Sequence, residues 1–302
     1  MYFATPLLNS AYFDQPTLLK LENTQPSGSF KSRGLTHLVA TEAAGRAHPH
    51  VYASSGGNAG MAAAEAAVEL GIPCTVAVPT TTKPRMRERL QKLGAEVIVH
   101  GSVITETDAH LRELIEKANG DPIYCHPFDH PLIWTGHSTM VSEIADQIRA
   151  YKSERPAAIV LSCGGGGLYI GIMEGLERVG WADKVPVYVV ETEGAPTFHE
   201  ALKAGKSVAL PSVSTVATSL ASVHVPERAV QYAQQYGSQP VLVSDDEALR
   251  AVRRFATDHD TIVEPACAAT LAAIDRGDLK HAQGPIVAIV CGGTGYGPDD
   301  IK

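Results

Sequence analysis

The sequence predicts an α/β protein whose β-sheets are mostly parallel. Short apolar segments alternate with alanine-rich segments of helical periodicity along most of the 302 residues. The apolar segments are continuous rather than alternating, as expected for strands that are buried on both faces of a sheet. Three glycine-rich turns, at 54–60, 162–171 and 291–297, also follow or end such segments. Together these observations indicate right-handed βαβ units.

The predicted elements follow from this alternation in chain order. Strands are predicted at 51–53, 74–78, 95–99, 157–162, 185–191 and 285–291. Helices are predicted at 59–70, 84–93, 103–118, 137–150, 168–179, 227–236, 245–258 and 265–275. The segment GDPIYCHPFDHP (120–131) is rich in proline and histidine, so we interpret it as a crossing between two lobes. A metal site built from its histidines is the less favoured interpretation.

Composition restricts the classes of partner. The formal net charge of −8 argues against nucleic acid or an anionic membrane as a partner. No apolar segment has the length of a membrane span, and the start MYFATPLLNS lacks the features of a secretory signal. The five cysteines are widely spaced and form no C-x-x-C pair. We therefore expect neither a disulfide framework nor a zinc site, and a cytoplasmic protein.

The run of four glycines from Gly164 to Gly167 indicates a phosphate site. Consecutive glycines cost conformational entropy, and they are best explained by close approach of backbone N–H groups to an anion at a helix N-terminus. The dinucleotide pattern G-x-G-x-x-G fails, because Tyr169 and Pro298 stand where its last glycine is required. The P-loop pattern fails at Glu200. A smaller phosphorylated cofactor remains, and Lys31, within SGSFKSRG (27–34), suggests a Schiff base.

Seven segments in fixed order resemble a known family. They are SGSFKSRG (27–34), SSGGNAGMAAA (54–64), PFDHPLIWTGH (127–137), CGGGG (163–167), ETEGAPTFHEA (191–201), VEPACAATLAA (263–273) and VCGGTG (290–295). This set resembles the fold type II pyridoxal-phosphate enzymes, and within them the serine/threonine dehydratases, most closely the short animal type. The resemblance implies the tryptophan synthase β-like architecture of two three-layer αβα lobes with mostly parallel twisted sheets. It further implies a large cofactor-binding domain (1–34 plus 135–302) and a small domain (35–134).

The resemblance also implies roles at the cofactor. Lys31 would hold pyridoxal phosphate as a Schiff base and later remove the substrate's α-proton, with Phe30 and Gly292 beside the cofactor. Gly164, Gly165, Gly166, Gly167 and Leu168 would hold the phosphate. Asn58 would bind the cofactor's 3′-oxygen, although an asparagine there can also cap a helix. Cys291 would face the pyridine nitrogen as a neutral thiol, which favours prompt loss of a β-substituent.

At the substrate, the same resemblance implies a carboxylate-binding turn. Its members would be Ser54, Ser55, Gly56 and Gly57, with Asn58 and Phe128 nearby. Ser55 would assist departure of the hydroxyl group. Gly56 stands where relatives carry a slightly larger residue, which would loosen the substrate pocket. The resemblance also implies a homodimer and a monovalent cation, such as K⁺, bound by Gly164, Glu191, Ala195, Leu220 and Ser222.

The expected activity is therefore α,β-elimination from L-serine and L-threonine, giving pyruvate or 2-oxobutanoate and ammonia. Three alternatives stay open at this point. They are a serine racemase or a β-replacing synthase of the same fold, and a pyridoxal-phosphate-binding protein without catalytic activity. An ordinary nucleotide-binding oxidoreductase is disfavoured by the missing G-x-G-x-x-G pattern.

Overall fold

The computed structural model describes residues 2–279 and 281–301. Its strands are β1 Leu7–Ser10, β2 Thr17–Lys20, β3 Pro49–Ser54, β4 Cys74–Val78, β5 Glu96–Val99, β6 Asp121–Cys125, β7 Ala158–Ser162, β8 Val187–Thr192, β9 Gln239–Val243 and β10 Ile286–Ile289. Its helices are α1 Lys31–Ala43, α2 Asn58–Glu69, α3 Pro84–Lys92, α4 Ile104–Glu116, α5 Pro131–Gln147, α6 Gly167–Arg178, α7 Thr197–Ala204, α8 Glu227–Tyr236, α9 Asp245–His259 and α10 Pro265–Arg276. Within these residues, no helix is both long enough and apolar enough to cross a membrane.

The larger sheet has six strands in the order β1-β2-β10-β7-β8-β9. Every neighbouring pair is parallel except β1 and β2, which are antiparallel. All residues of β7 and β10 are buried, which confirms that these continuous apolar runs mark strands covered on both faces. All residues of β2 are buried as well, although its sequence includes Thr17 and Lys20. The carboxyl ends of β7 and β10 lie side by side and open toward the glycine-rich turns.

The smaller sheet has four parallel strands in the order β5-β4-β3-β6. Side chains of β3 alternate between its faces, as they must in a strand. Val51 packs with Leu35 of α1 and Met61 of α2, whereas Tyr52 packs with Leu111 of α4 on the other face. Helices on both faces make this lobe a three-layer αβα unit.

The segment 120–131 differs from the sequence prediction. Its first half is strand β6 rather than an irregular crossing, and its end begins α5, six residues before the predicted start at 137. Pro131 is suited to the first position of a helix, and the His130 side chain caps that end by accepting a hydrogen bond from the N–H of Leu132. Strand β6 was missed because proline is unusual inside a strand. Pro122 is tolerated because β6 lies at the edge of its sheet.

The other strands and helices that the sequence analysis did not predict were missed for similar reasons. Strand β9 contains Pro240 and is also an edge strand, while β1 and β2 are only four residues long and include polar residues. Helices α1 and α7 have too few apolar periodic positions to stand out in the sequence. The predicted domain boundaries at 34/35 and 134/135 fall inside α1 and α5, which are continuous helices. The division into domains at those residues stays a prediction.

Candidate active site

A cavity lies beyond the carboxyl ends of β7 and β10. It encloses about 520 Å³ of empty space, part of which is continuous with solvent. Its lining includes Phe30, Lys31, Asn58, Phe128, Gly164, Gly165, Gly166, Gly167, Leu168, Cys291 and Gly292. All the cofactor-site residues predicted from the sequence, and Phe128, are therefore brought to one place. Ligands bind at this edge of open α/β sheets as a general rule.

Lys31 is the first residue of α1 and its amine lies in the cavity. The Nζ atom donates a hydrogen bond to the carbonyl oxygen of Pro127 at 2.8 Å, and it lies 5.0 Å from the centre of the Phe30 ring. Burial lowers the Lys31 pKa to about 8, although the nearby Cys291 and Glu264 act in the opposite direction. A neutral amine, which is the nucleophilic and basic form, is therefore available near physiological pH.

The glycine turn at the start of α6 is too tightly packed for side chains. A Cβ added at Gly164 would lie 2.8 Å from the carbonyl oxygen of Ser219, and one at Gly165 would overlap the ring of Phe128. Gly166 has φ +82°, a left-handed conformation that favours glycine. The first N–H groups of a helix have no intrahelical acceptor, and a turn of this kind directs them to one side. The turn is thus an anion-binding concavity that opens into the cavity.

Cys291 also lines the cavity and lies just after β10. Its Sγ is 3.6 Å from the hydroxyl oxygen of Ser162, and the next residue, Gly292, donates its N–H to the sulfur of Cys267 at 3.4 Å. The hydrogen bond with Cys267, supported by Ser162 and by the charge of Lys31, lowers the pKa of the Cys291 thiol despite its burial. The prediction of a plain neutral thiol at this position therefore omitted two polar neighbours.

The turn from Ser54 to Gly57 flanks the cavity rather than lining it. The Ser54 hydroxyl donates to the carboxylate of Asp108 at 2.5 Å, and the Ser55 hydroxyl accepts from the N–H of Gly57 at 3.3 Å. A Cβ added at Gly56 would lie 2.6 Å from the Cγ2 of Thr82. Gly56 thus leaves room for Thr82 to pack against the turn. The looser substrate pocket expected from Gly56 stays a prediction.

The residues predicted to bind a cation have other partners in this structure. The Glu191 carboxylate accepts the N–H groups of Phe198 and His199 at the start of α7, at 2.6 and 2.9 Å, and burial raises its pKa to about 8. The carbonyl of Ser222 accepts the Thr197 hydroxyl at 2.5 Å. Of the predicted set, Gly164 and Leu220 line the cavity. Cation binding stays a prediction.

Comparison with known proteins identifies the family of this chain. A family model described as "Pyridoxal-phosphate dependent enzyme" matches residues 1–292. The chain belongs to this family of pyridoxal-phosphate-dependent enzymes. It is 45% identical over 285 residues to a Bos taurus L-serine dehydratase/L-threonine deaminase, with 91% of this chain and 85% of that protein covered. It is 38% identical over 324 residues to a Saccharomyces cerevisiae catabolic L-serine/threonine dehydratase, with coverage of 100% and 90%.

A solved structure agrees with this assignment. The fungal L-serine ammonia-lyase of Rhizomucor miehei superposes with a TM-score of 0.91 at 33% identity, covering 99% of this chain and 96% of that one. The two αβα lobes with their mostly parallel sheets are therefore the fold type II architecture, and that prediction is confirmed.

The cavity fits the family's cofactor, pyridoxal phosphate. Glycines stand at the turn where added Cβ atoms would overlap Phe128 or contact Ser219, which leaves a concave row of N–H groups suited to the phosphate. Lys31 supplies an amine of lowered pKa for the aldehyde, and Cys291 supplies a polar group for the ring nitrogen. The residues that would hold the cofactor are those that the sequence analysis named.

Sequence reasoning assigned no role in the site to five polar residues that line the cavity: Ser29, Ser162, Tyr169, Ser219 and Glu264. Glu264 was inside a recognised segment, VEPACAATLAA, but Glu-Pro before a helix also suits an ordinary helix start. The proposed capping role of Asn58 is wrong, since Gly57 is the N-cap residue of α2 and no side chain caps that end. The Asn58 side chain is directed to Glu264 and Thr294 instead.

Proposed function

We propose that this chain is an L-serine and L-threonine ammonia-lyase. Serine would lose its β-hydroxyl group as water, and hydrolysis of the released enamine would give pyruvate and ammonia; threonine would give 2-oxobutanoate and ammonia. The observation that carries the proposal is that the Lys31 amine, whose pKa is about 8, lines the same cavity as the glycine turn. The names of the bovine and yeast relatives support this substrate class.

Each step assigns a task to a residue of this chain. Pyridoxal phosphate, when bound, accepts the electron pair left by the broken Cα–H bond. Lys31, as a neutral amine, takes the proton from Cα, and the Pro127 carbonyl and the Phe30 ring orient its Nζ. The glycine turn would hold the phosphate of the cofactor, and Cys291, which lines the same cavity, would face the pyridine nitrogen.

The substrate would be held at the start of α2. The N–H groups of the turn from Ser54 to Gly57 lead into that helix, so a carboxylate there meets the positive end of the helix dipole. Asp108 holds the Ser54 hydroxyl and thereby fixes the turn, which leaves Ser55 as the hydroxyl available to the leaving group. Phe128 covers the glycine turn and limits the space beside it.

Assembly and location complete the proposal. We expect a homodimer in the cytoplasm, with K⁺ bound by the set that includes Glu191. All five cysteines are free and buried, which suits a reducing compartment.

The test is pyruvate formation by the purified, cofactor-loaded protein. Absorbance is recorded before and after L-serine, with pyruvate reduced by lactate dehydrogenase and NADH as the coupled readout. We expect a visible cofactor band that changes with serine and is lost in Lys31→Ala. Lys203→Ala is the matched control, because Lys203 is an exposed lysine paired with Glu200. A spectral change that gives D-serine without pyruvate would assign a racemase. A band unaffected by any amino acid would assign a binding protein.

A further inference from the structure

Glu264 places a buried carboxylate in the cofactor cavity with three donor groups around it. The residue is 5% exposed and precedes the first residue of α10. Its Oε1 accepts the N–H of Gly295 at 2.6 Å and the Asn58 amide nitrogen at 3.2 Å. Its Oε2 accepts the Ser219 hydroxyl at 2.6 Å and the same amide nitrogen at 3.0 Å. Because an ionised carboxylate only accepts, each of these partners is used as a donor.

The other end of the Asn58 amide has an unambiguous partner. Its Oδ1 accepts the backbone N–H of Thr294 at 2.9 Å and lies 3.4 Å from the Thr294 hydroxyl. A backbone N–H can only donate, so the amide oxygen must face Thr294. Assignment of an asparagine amide rests on such a network, and here both ends agree.

The two ends of the amide also differ in their surroundings. Glu264 and Ser219, on the nitrogen side, line the cavity, whereas Thr294, on the oxygen side, does not. The amide nitrogen is therefore presented toward the cofactor and the oxygen away from it. The contact is close, since a Cβ added at Gly293 would lie 2.5 Å from Oε1 of Glu264. The turn after β10 thus lies directly over the carboxylate.

We infer that Glu264 is a positioning residue that fixes the Asn58 amide with its N–H₂ group toward bound pyridoxal phosphate. Of the two N–H bonds of this amide, one is held by Glu264, and the other, which contacts the Ser219 hydroxyl at 3.3 Å, would turn to the 3′-oxygen of the cofactor. The inference rests on the cofactor and not on which amino acid is the substrate, so cofactor affinity tests it separately from the proposed lyase activity.

The test is titration of the cofactor-free protein with pyridoxal phosphate, followed by quenching of intrinsic fluorescence. Glu264→Gln puts a side-chain amide among the three donor groups, so at least one of them faces an N–H₂ group instead of an acceptor oxygen. We expect the dissociation constant to rise about tenfold, the usual effect of losing a hydrogen bond to a charged group. Ser219→Ala is the matched control within the same cluster. It removes one donor to Glu264 and the longer 3.3 Å contact from the Asn58 amide nitrogen to the Ser219 hydroxyl, but it leaves the contacts between Asn58 and Glu264 intact. It should change the constant by less than about twofold.

A double-mutant cycle distinguishes positioning from support of the fold. In an Asn58→Ala background, Glu264→Gln should have almost no further effect on cofactor affinity. A full tenfold loss in that background would overturn the inference, since Glu264 would then act without Asn58. An equal loss in Ser219→Ala would also overturn it. Glu264→Asp takes the place of Glu264→Gln if Glu264→Gln unfolds below 37 °C without cofactor. Aspartate is one methylene shorter, so it withdraws the charge from Asn58, and the expected outcomes are the same.

Discussion

Replacement of Arg33 by methionine should be among the most destabilising single changes in this chain. Arg33 lies two residues after Lys31 in α1 and is fully buried. Its guanidinium donates to both oxygens of Glu22, at 2.7 and 2.8 Å, and to both oxygens of Glu143, at 2.6 and 2.7 Å. Two fork-shaped carboxylate contacts thus fix the helix that begins with the cofactor lysine.

The expected loss of folding stability follows from the hydrogen-bond partners that each carboxylate keeps after Arg33 is replaced. Glu143 is 17% exposed and keeps the amine of Lys20 at 2.6 Å, so its charge stays paired. Glu22 is fully buried, and within residues 2–279 and 281–301 its remaining hydrogen-bond donors are neutral, the Thr5 hydroxyl at 2.6 Å and the Gln25 amide at 3.4 Å. Leaving one partner of a buried ion pair uncompensated costs about 3–5 kcal/mol, which we assign to Glu22. That is a large share of the roughly 5–15 kcal/mol that stabilises a folded protein.

Urea unfolding of the cofactor-free protein measures this effect. Arg33→Met should lose about 3–5 kcal/mol, and Arg33→Met with Glu22→Gln should recover about 2 kcal/mol by removing the unpaired charge. Arg254→Met is the control, because Arg254 is 43% exposed and its pairs with Asp258 and Asp275 should contribute less than about 1 kcal/mol. A loss below about 1 kcal/mol in Arg33→Met, or a further loss on adding Glu22→Gln, would refute the reasoning.

Three further predictions concern the cavity. Cofactor capture by the cofactor-free protein needs neutral Lys31, so the rate of capture should rise with pH through a midpoint near pH 8, where an ordinary lysine is still protonated. Stopped-flow absorbance measures this rate. A rate that still rises steeply at pH 10 would contradict the lowered pKa of Lys31. Gly165→Ala should weaken the binding of pyridoxal phosphate at least about tenfold, because the added Cβ overlaps the ring of Phe128. Unchanged affinity in the same titration would mean that the Phe128 ring moves aside freely. Gly56→Ala should lower kcat/KM for serine about fivefold, because the added Cβ would contact Thr82. Adding Thr82→Ala to this variant should restore much of the lost kcat/KM. If the effects of the two substitutions are simply additive, contact between residues 56 and 82 is not the cause.

The site was largely predictable because its main features are local. A lysine among small residues, a run of four glycines and a cysteine after a buried strand each have a chemical meaning within a few positions of the chain. The same holds for the central strands β4, β7 and β10, whose continuous apolar runs reflect burial on both faces. Edge strands β6 and β9 were missed because their prolines are tolerated only where one side of the strand has no neighbour.

Glu264 shows what could not be predicted. It contacts Asn58, 206 positions away in the chain, and its sequence context of Glu-Pro is equally typical of a helix start without any function. The Ser54 hydroxyl likewise looked available for substrate until the fold brought Asp108 of α4 beneath it. Arg33, inside a recognised segment, has its two carboxylate partners on the 3₁₀ turn Glu22–Thr24 and on α5.

The sequence by itself determined which segments form buried strands, where glycine is required, and which amine and thiol can serve a phosphorylated aldehyde cofactor. These properties depend on backbone conformation and side-chain chemistry within a short stretch of chain. Only the tertiary structure decided which way the Asn58 amide faces, which hydroxyl stays available to substrate, and how the charge of Arg33 is balanced. Those properties depend on partners that are distant in the chain, and hydrogen bonds and ion pairs between them exist only once the sheet order has brought the partners together.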